Sequence, residues 1–477
     1  MPWAPGDPWP GTPGGAENAA WSPYVHFFLE AAIAGGNQFT LGPVAGSGDA
    51  LDSGNVYGPP PTDAAPLWVN LSCDCLSVEI QNGASTSAGA LSKADAGTLV
   101  ADIYDPDQRY DPFNPDSPFT LRARTRLAAG EPVRCYAEVL TRAKAAGAPD
   151  LTKVMLFTGT VDHWSEPWTN HAGERVATLQ ATDAVKQWTR WDHPEQNPAG
   201  NNDSLSQRVN RIANEFGWPV ADILPPMGTS VAVFDSTTLA QPAWEMLNRT
   251  LDDELGMAYF TGDNKLRYTT RPEWSRRANP YFTLGCPADF PPDQRALVFD
   301  VVVDAKPAYY DATLRNVVNA ANSGGQSQTS RSEASIARYG EWSYQRTDLG
   351  LNNNAAAQAW ADELVRLYAF PQKTLESVTF QPALHALIGT PDEPGWCFRS
   401  CLGLPLVSEV IRVVWTPNGI DNPFDVAGRV VGTKHSITPD MWEIEYKMVG
   451  SELATVADAF HMGPDPNDLL DSGFVLG

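Results

Sequence analysis

One stretch, residues 99–119, limits the possible folds of this chain more than any other. It begins with the pattern of a half-buried strand and then runs into turn-forming residues. Each proline there fixes its own φ and restricts the residue before it. The prolines are Pro106, Pro112, Pro115 and Pro118, and the aromatic residues around them are Tyr104, Tyr110, Phe113 and Phe119. We therefore predict a rigid corner after a strand, held in place by the packing of its aromatic rings.

The rest of the chain contains many strand-like stretches separated by turns, and its composition suits a β-rich protein. Its 477 residues allow roughly three domains, and a hydrophobic content of 43% is enough for folded cores. The 40 prolines and 38 glycines favour many turns. We predict a mainly β fold of the α+β class, in which two β units, each a barrel or a sandwich, flank a small α/β segment.

Changes in composition divide the chain into five parts. They are an N-terminal arm rich in Pro, Gly and Trp (1–21), a first β unit with a long connection at 35–65 (22–192), a small α/β segment (193–296), a second β unit with one helix (297–450) and an acidic C-terminal arm (451–477). For the arms, a contact with a neighbouring subunit and a disordered tail stay open as alternatives. The stretch 323–333 has no apolar residue and is expected to be a mobile loop.

The charge of the chain excludes one common function. A net charge of −24 argues against binding nucleic acid by phosphate neutralisation, which needs a surplus of Lys and Arg. The first 92 residues hold no Lys or Arg, so neither a secretory signal nor a transit peptide is expected. No apolar run approaches the ~18 residues that a membrane span needs. We expect a soluble protein that is made in the cytoplasm and does not insert into a membrane.

Two helices are predicted in the α/β segment, and both carry acidic residues. Asp203 is placed to cap the first helix. The second helix spans about 242–255 and contains Asp252, Asp253 and Glu254. Paired carboxylates can cleave a glycosidic bond, but neighbouring residues on a helix point about 100° apart. We therefore interpret these three carboxylates as a solvated helix face.

Sequence motifs for chemistry are mostly missing. No nucleophile elbow, zinc-protease motif, P-loop or dinucleotide fingerprint is present, so we expect neither an enzyme nor a cofactor. Asp105, Asp107 and Asp111 resemble the start of a calcium loop, although the glycine and the later glutamate of such a loop are missing. Calcium stays an alternative to a turn stiffened by prolines. We interpret the six cysteines as buried free thiols, with zinc as the alternative, and His163 and His435 as structural.

Several motifs occur in a defined order along the chain. They are Asp95-Ala-Gly97-Thr-Leu-Val, Arg109-Tyr-Asp-Pro-Phe-Asn-Pro-Asp-Ser-Pro118, Gly130-Glu-Pro-Val-Arg134, Phe157-Thr-Gly-Thr-Val-Asp-His-Trp164, Ser335-Ile-Ala-Arg-Tyr-Gly340 and Val431-Gly-Thr-Lys-His435, followed by Trp442. With these motifs the chain resembles, over about residues 24–450, the minor tail proteins of long-tailed phages of actinobacteria.

The resemblance assigns structural roles and no catalytic role to the motif residues. They are Asp95, Gly97, Arg109, Asp111, Pro112, Asn114, Pro115, Ser117, Pro118, Gly159, Trp164, Tyr339, Gly340, His435 and Trp442. The implied protein is a tail-tip hub, similar in organisation to the baseplate hub of contractile phages and to the hub of type VI secretion spikes. In such hubs two β-barrel domains per subunit make a homotrimer look nearly six-fold.

The resemblance also implies a location and a set of partners. The hub would sit at the tail tip of a virion after synthesis in the host cytoplasm. It would join a six-fold ring of distal tail protein to a three-fold tip and contact its own copies, the tape-measure protein and other minor tail proteins. DNA would contact it only in transit, and an acidic channel wall would let the DNA slide.

Two other functions stay open at this point. A receptor-binding or cell-wall-degrading tail protein would be distinguished by a hydrolase or lectin module. A distal-tail adaptor would form a hexamer, and such adaptors usually lack the second β unit. We favour the trimeric hub because two β units are predicted here.

Overall fold

The computed structural model describes most of the chain between residues 25 and 450. The described residues are 25–32, 68–84, 93–121, 124–125, 127, 129–142, 150–165, 175–191, 198–226, 230, 232–238, 241–275, 280–285, 298–299, 302–310, 314–382, 396–402, 409–415 and 424–450. Both arms and the connection at 35–65 lie outside them, so the expectations for these three segments stay predictions.

The first part of the chain is a sheet of antiparallel strands. Its strands are β1 (Val25–Ala31), β2 (Val69–Asn70), β3 (Cys75–Gly83), β4 (Thr98–Tyr104), β5 (Thr120–Leu121), β6 (Arg124–Thr125), β7 (Pro132–Arg142), β8 (Asp150–Ser165) and β9 (Val176–Thr182). Seven of them pair in the order β3-β4-β9-β8-β7-β1-β2, and β5 and β6 form a separate hairpin. In β4 and β9 every second residue is buried, as expected for a sheet with one face on a core.

The middle of the chain alternates short strands with helices. Its elements are α1 (Val185–Arg190), β10 (Pro198–Ala199), β11 (Asp203–Ser204), α2 (Leu205–Glu215), a 3₁₀ turn (Val220–Asp222), β12 (Ile223–Leu224), β13 (Val233–Phe234), β14 (Thr237–Thr238), α3 (Ala243–Asp252), β15 (Ala258–Phe260), β16 (Leu266–Tyr268) and α4 (Arg271–Ser275). The predicted cap of α2 is wrong by one residue. Ser204 caps the helix in a reciprocal pair with Gln207, because the Asp203 carboxylate binds Arg208 and Arg211 instead.

The last part of the chain returns to strands and adds three helices. Its elements are β17 (Thr283–Gly285), β18 (Val298–Phe299), β19 (Val302–Tyr310), β20 (Val317–Asn322), β21 (Gln328–Arg331), α5 (Glu333–Tyr339), β22 (Ser343–Leu349), α6 (Asn354–Tyr368), β23 (Gln372–Phe380), α7 (Trp396–Leu402), β24 (Val410–Trp415), β25 (Phe424–Ile437) and β26 (Trp442–Gly450). The stretch 323–333, expected to be a mobile loop, contains strand β21, because residues 328–331 pair with β20.

Strand β25 joins the two β units into one sheet. It pairs with β24, with β26 and with β3 of the first unit. The β3 pairing runs from Gly432 opposite Gly83 to Ile437 opposite Val78, and it completes a sheet of 14 strands, of which seven lie in the first unit, six in the second unit and one, β17, in the predicted α/β segment. The mainly β fold of the α+β class is confirmed. In the described part of the chain the strand pairings do not close into a barrel, so the two barrel-like units appear as halves of one continuous sheet.

The two large hydrophobic cores each combine residues from different parts of the chain. The larger core contains residues of both β units, and the rings of Phe27 in β1 and Trp442 in β26 meet edge to face at 5.9 Å. The second core unites α2 and α3 with β20, β22 and α6. The helix expected within the second β unit, α6, thus packs on the α/β segment through Trp360. None of the helices in the described residues is long and apolar enough to cross a membrane.

Candidate functional site

The predicted corner is a folded loop organised around Asp105. This carboxylate is fully buried and accepts hydrogen bonds from the backbone N–H of Arg109 at 2.6 Å and of Tyr110 at 2.7 Å. Burial raises the pKa of Asp105, and the two N–H donors act in the opposite direction. Gln108, directly before Arg109, adopts a positive φ of 55°. The Asp105 carboxylate therefore closes the first turn of the corner, because it takes the place of backbone carbonyls as the acceptor for these two N–H groups.

Three more polar side chains of the motif close the following turns. Asp111 Oδ1 accepts from the N–H of Phe113, and Asn114 donates from Nδ2 to the carbonyl of Gln108 at 2.8 Å. Ser117 donates from Oγ to the carbonyl of Arg109 at 2.5 Å. Short polar side chains of this kind substitute for backbone partners in turns. The asparagine and serine of the motif are thus explained by the backbone groups that they bind.

Tyr110 is the packing centre of the corner. Its ring stacks on Phe119 at 5.5 Å and on Trp164 at 5.8 Å, and its hydroxyl donates to Asp74 at 2.7 Å. Burial raises the pKa of Tyr110, and the nearby Asp74 adds to this effect. The predicted packing of aromatic rings is confirmed for Tyr110 and Phe119, whereas the side chains of Tyr104 and Phe113 are exposed.

The outer side of the corner is exposed. The side chain of Phe113 is 79% exposed, and Arg109 lies partly in solvent over the Tyr110 ring, with Asp74 as an ion-pair partner at 3.4 Å. An aromatic ring presented by a rigid loop is suited to contact another protein. The corner can therefore act as a docking element.

The carboxylates of the calcium alternative do not converge. Asp105 and Asp111 are buried and hold backbone N–H groups, whereas Asp107 is exposed. Within the described ranges no group of three or more His, Cys, Asp or Glu side chains could hold a metal ion. Of the cysteines considered for zinc, Cys397 and Cys401 face each other on α7 at 3.9 Å between their sulfur atoms.

Gly97 marks the junction between the first sheet and α1. Asp183 accepts from the N–H of Gly97 at 2.9 Å and from that of Val185 at 3.0 Å. A Cβ atom on Gly97 would lie 2.6 Å from the Asp183 carboxylate, so a side chain here would displace this carboxylate. Burial raises the pKa of Asp183 to about 7, and the two N–H donors lower it in part. Asp95, earlier in the same motif, is exposed, and its N–H donates to the carbonyl of Gly83.

Gly159 has a similar steric explanation in β8. A Cβ atom there would lie 2.4 Å from the carbonyl oxygen of Thr182 in β9. The register of β8 and β9 shifts between Val161 and His163, close to this contact. The glycine is therefore needed where two backbones approach closely.

The motif around Tyr339 and Gly340 is held by a buried asparagine. Asn316 donates from Nδ2 to the Gly340 carbonyl at 2.7 Å and accepts at Oδ1 from the N–H of Trp342 at 2.7 Å. Gly340 has a φ of 79°, which other residues rarely adopt. No role is assigned to Asn316 from the sequence, although a polar residue directly before the apolar pair Val317 and Val318 is a usable signal.

His435 and Trp442 lie inside the larger core. The indole N–H of Trp442 points to His435 Nδ1 at 3.5 Å. Burial lowers the pKa of His435 to about 4. The ring is therefore neutral at physiological pH and acts as a packing residue, in agreement with its structural interpretation.

The interpretation of residues 252–254 as a solvated helix face is wrong. Asp253 and Glu254 are almost fully buried at the end of α3. Asp253 pairs with Arg346 of β22 at 2.7 Å and also accepts from the N–H of Gly350, and Glu254 pairs with Arg271 at 3.1 Å. Burial raises the pKa of Asp253 to about 7, and Arg346 lowers it in part. These acids tie α3 to segments that are distant in sequence, which no local pattern could reveal.

Comparison with known proteins gives only distant similarities. No family model and no curated protein matches the chain. Among solved structures it is similar to a tail protein from Neisseria meningitidis MC58, with 14% identity and a TM-score of 0.48, covering 80% of this chain and 94% of that one. It is also similar to the 43 kDa tail protein of prophage MuSo2 from Shewanella oneidensis, with 13% identity, a TM-score of 0.46 and coverage of 81% and 94%. A third is an Escherichia coli component of the type VI secretion system, with 10% identity, a TM-score of 0.35 and coverage of 80% and 74%.

Proposed function

We propose that this protein is a structural hub of a phage tail tip and has no catalytic activity. The observation that carries the proposal is the presence in a single chain of two β units, which contribute seven and six strands to the large sheet. Three copies of such a chain bring six β units to one ring. A ring of this kind can meet a six-fold tail on one side and a three-fold tip on the other.

The structural roles of the motif residues support a scaffold. Gly97 leaves room for the Asp183 carboxylate, Gly159 permits a close backbone approach, Asn114 and Ser117 close turns, and Trp442 fills the larger core. Each of these roles is architectural. The motifs that give the resemblance to minor tail proteins of siphophages therefore coincide with the points that determine the shape of the chain.

Assembly and charge complete the proposal. The hub is a homotrimer that contacts the distal tail ring, the tape-measure protein and other tip proteins. The −24 charge of each chain is directed partly toward the central channel. Repulsion between this wall and the phosphates of the passing genome prevents it from sticking.

Native mass spectrometry followed by cryo-electron microscopy tests this function. The expected mass is three times the 51.8 kDa of the chain, and the expected density is a three-fold ring with an acidic lumen. A ring of six copies would instead identify a distal-tail adaptor. A trimer with a neutral or basic lumen would agree with the hub but would contradict the proposal that an acidic channel wall repels the passing DNA.

A further inference from the structure

A second exposed aromatic surface lies far from the corner in sequence. It consists of Arg338, Tyr339, Trp342 and Phe370, which we call the aromatic platform. The side chain of Trp342 is 41% exposed and that of Phe370 is 46% exposed. The rings of Tyr339 and Phe370 meet edge to face at 6.3 Å, and the guanidinium of Arg338 lies over the Tyr339 ring at 5.2 Å.

Buried polar groups hold the platform rigidly from below. Asn316 binds Gly340 and the N–H of Trp342, and it also donates to Ser335 Oγ at 3.2 Å. Ser335 in turn donates to the carbonyl of Ala369, next to Phe370. The Trp342 indole N–H is bound to the carbonyl of Tyr339 at 3.0 Å. The backbone that carries these rings and the Trp342 indole are thus held before anything binds, which lowers the entropic cost of binding.

The charges of the platform distinguish it from the rest of the chain. Arg338 is exposed, and it forms no ion pair within the described ranges. The segment 314–370 holds five arginines and five acids, so it is neutral within a chain of net charge −24. Exposed Trp, Tyr and Arg side chains are the residue types that dominate binding energy at protein interfaces. The platform therefore suits an acidic segment that carries apolar rings.

The N-terminal segment 1–21 has this chemistry. It contains five prolines, the tryptophans Trp3, Trp9 and Trp21 and the acids Asp7 and Glu17, and it has no Lys or Arg. Proline-rich segments are recognised by surfaces lined with aromatic rings, because proline packs flat on a ring and has little conformational entropy to lose. Its acids complement the positive charge of Arg338.

We propose that the aromatic platform is the docking surface for residues 1–21 of this chain. The prolines and tryptophans of the segment pack on Trp342, Tyr339 and Phe370, and a carboxylate of the segment pairs with Arg338. This assignment accounts for two features that the hub function does not explain, namely the exposed rings of the platform and the tryptophans at the N-terminus.

Site-specific photocrosslinking in the full-length protein tests the proposal. Phe370 is replaced by the photoreactive analogue p-benzoylphenylalanine, and the crosslinked peptides are identified by mass spectrometry. The matched control carries the same analogue at Phe113, the exposed ring of the corner. We expect crosslinks from position 370 to residues 1–21 and none to these residues from position 113. Crosslinks from position 370 to other segments or to other proteins, or the absence of crosslinks, would overturn the proposal.

A charge reversal tests the contribution of Arg338. In the protein with the analogue at position 370, Arg338→Glu is expected to reduce the yield of the crosslink to residues 1–21 roughly tenfold. Both positions are on the surface, so folding is retained, and circular dichroism checks this. An unchanged yield would contradict the proposed contact. The native mass of the same sample is measured in parallel, so that the two proposals are tested separately. A trimer without the crosslink contradicts only the docking proposal. A crosslink without a trimer contradicts only the proposed hub.

Discussion

At the residue scale, several short polar side chains act by satisfying backbone groups. Asp105, Asn114, Ser117 and Asn316 each bind N–H or C=O groups that a turn leaves without a partner. The three side chains of the corner are short and reach only their own loop, whereas Asn316 reaches Gly340 and Trp342 in another segment. This explains why these polar residues occur at defined positions.

Replacing Asp105 by alanine tests its role in the corner. We expect the free energy of unfolding to fall by about 3 kcal/mol, because two buried N–H groups lose their acceptor. Asp107→Ala is the matched control and should change stability by less than about 0.5 kcal/mol, because Asp107 is exposed. Urea unfolding measures both. If the calcium alternative held, both variants would lose stability, and they would do so only when calcium is present.

The buried His435 makes stability depend on pH. Its pKa is lowered to about 4 in the folded protein, against about 6.5 in the unfolded chain. Between these values the unfolded chain binds a proton that the folded protein does not, so stability falls as the pH falls from 6.5 toward 4. His435→Gln removes this loss, which amounts to about 3 kcal/mol over the whole interval.

The measurement compares His435→Gln with the unmodified protein by urea unfolding at pH 7 and pH 4.5. The variant is expected to gain stability relative to the unmodified protein at the lower pH. Buried carboxyls such as Asp183 titrate in both proteins, so their effect cancels in the difference. The control is His163→Gln, because His163 is exposed. A difference between His435→Gln and the unmodified protein that stays constant with pH would contradict the prediction.

At the scale of elements, two glycines allow β3 and β25 to join. Gly83 and Gly432 lie opposite each other in this pairing. A Cβ atom on Gly432 would lie 2.2 Å from the carbonyl oxygen of Ala84, and one on Gly83 would lie 2.5 Å from that of Val431. The connection between the two β units thus depends on the absence of side chains at one pair of positions.

Gly432→Ala is expected to destabilise the protein by about 3 kcal/mol, because the backbone of β3 must move to make room. Gly428→Ala, on the same strand, is the control, since the nearest atom to a Cβ there is the terminal methyl of Met448, which can rotate away. Urea unfolding gives the energies, and hydrogen exchange should show faster opening of β3 in the Gly432 variant. Equal losses in the two variants would contradict the steric explanation.

At the scale of the whole molecule, the two β units share one core. Phe27 in β1 contacts Trp442 in β26, although more than four hundred residues separate them in the chain. The second core, around Trp360, is distinct. We therefore expect the two β units to unfold together, and the α/β segment to unfold in a separate step.

Trp442→Ala tests this division. Removing a buried indole costs about 4 kcal/mol, and we expect β1 and β26 to lose hydrogen-exchange protection together while α2 and α6 keep theirs. Trp360→Ala is the matched control, with the reverse pattern. Protection lost in β26 but kept in β1 would show that the two units are independent.

The sequence by itself determined the local elements and the character of the corner. Proline fixes φ wherever it occurs, alternation and turns predict strands, and helical spacing predicts α2 and α3, so these features follow from short-range chemistry. Only the tertiary structure decided that the two β units are one sheet and that α6 belongs to the second core. It also decided that Asp253 and Glu254 are buried, since their partners Arg346 and Arg271 lie elsewhere in the chain. Burial and strand partners depend on what the fold brings together, which a local pattern does not contain.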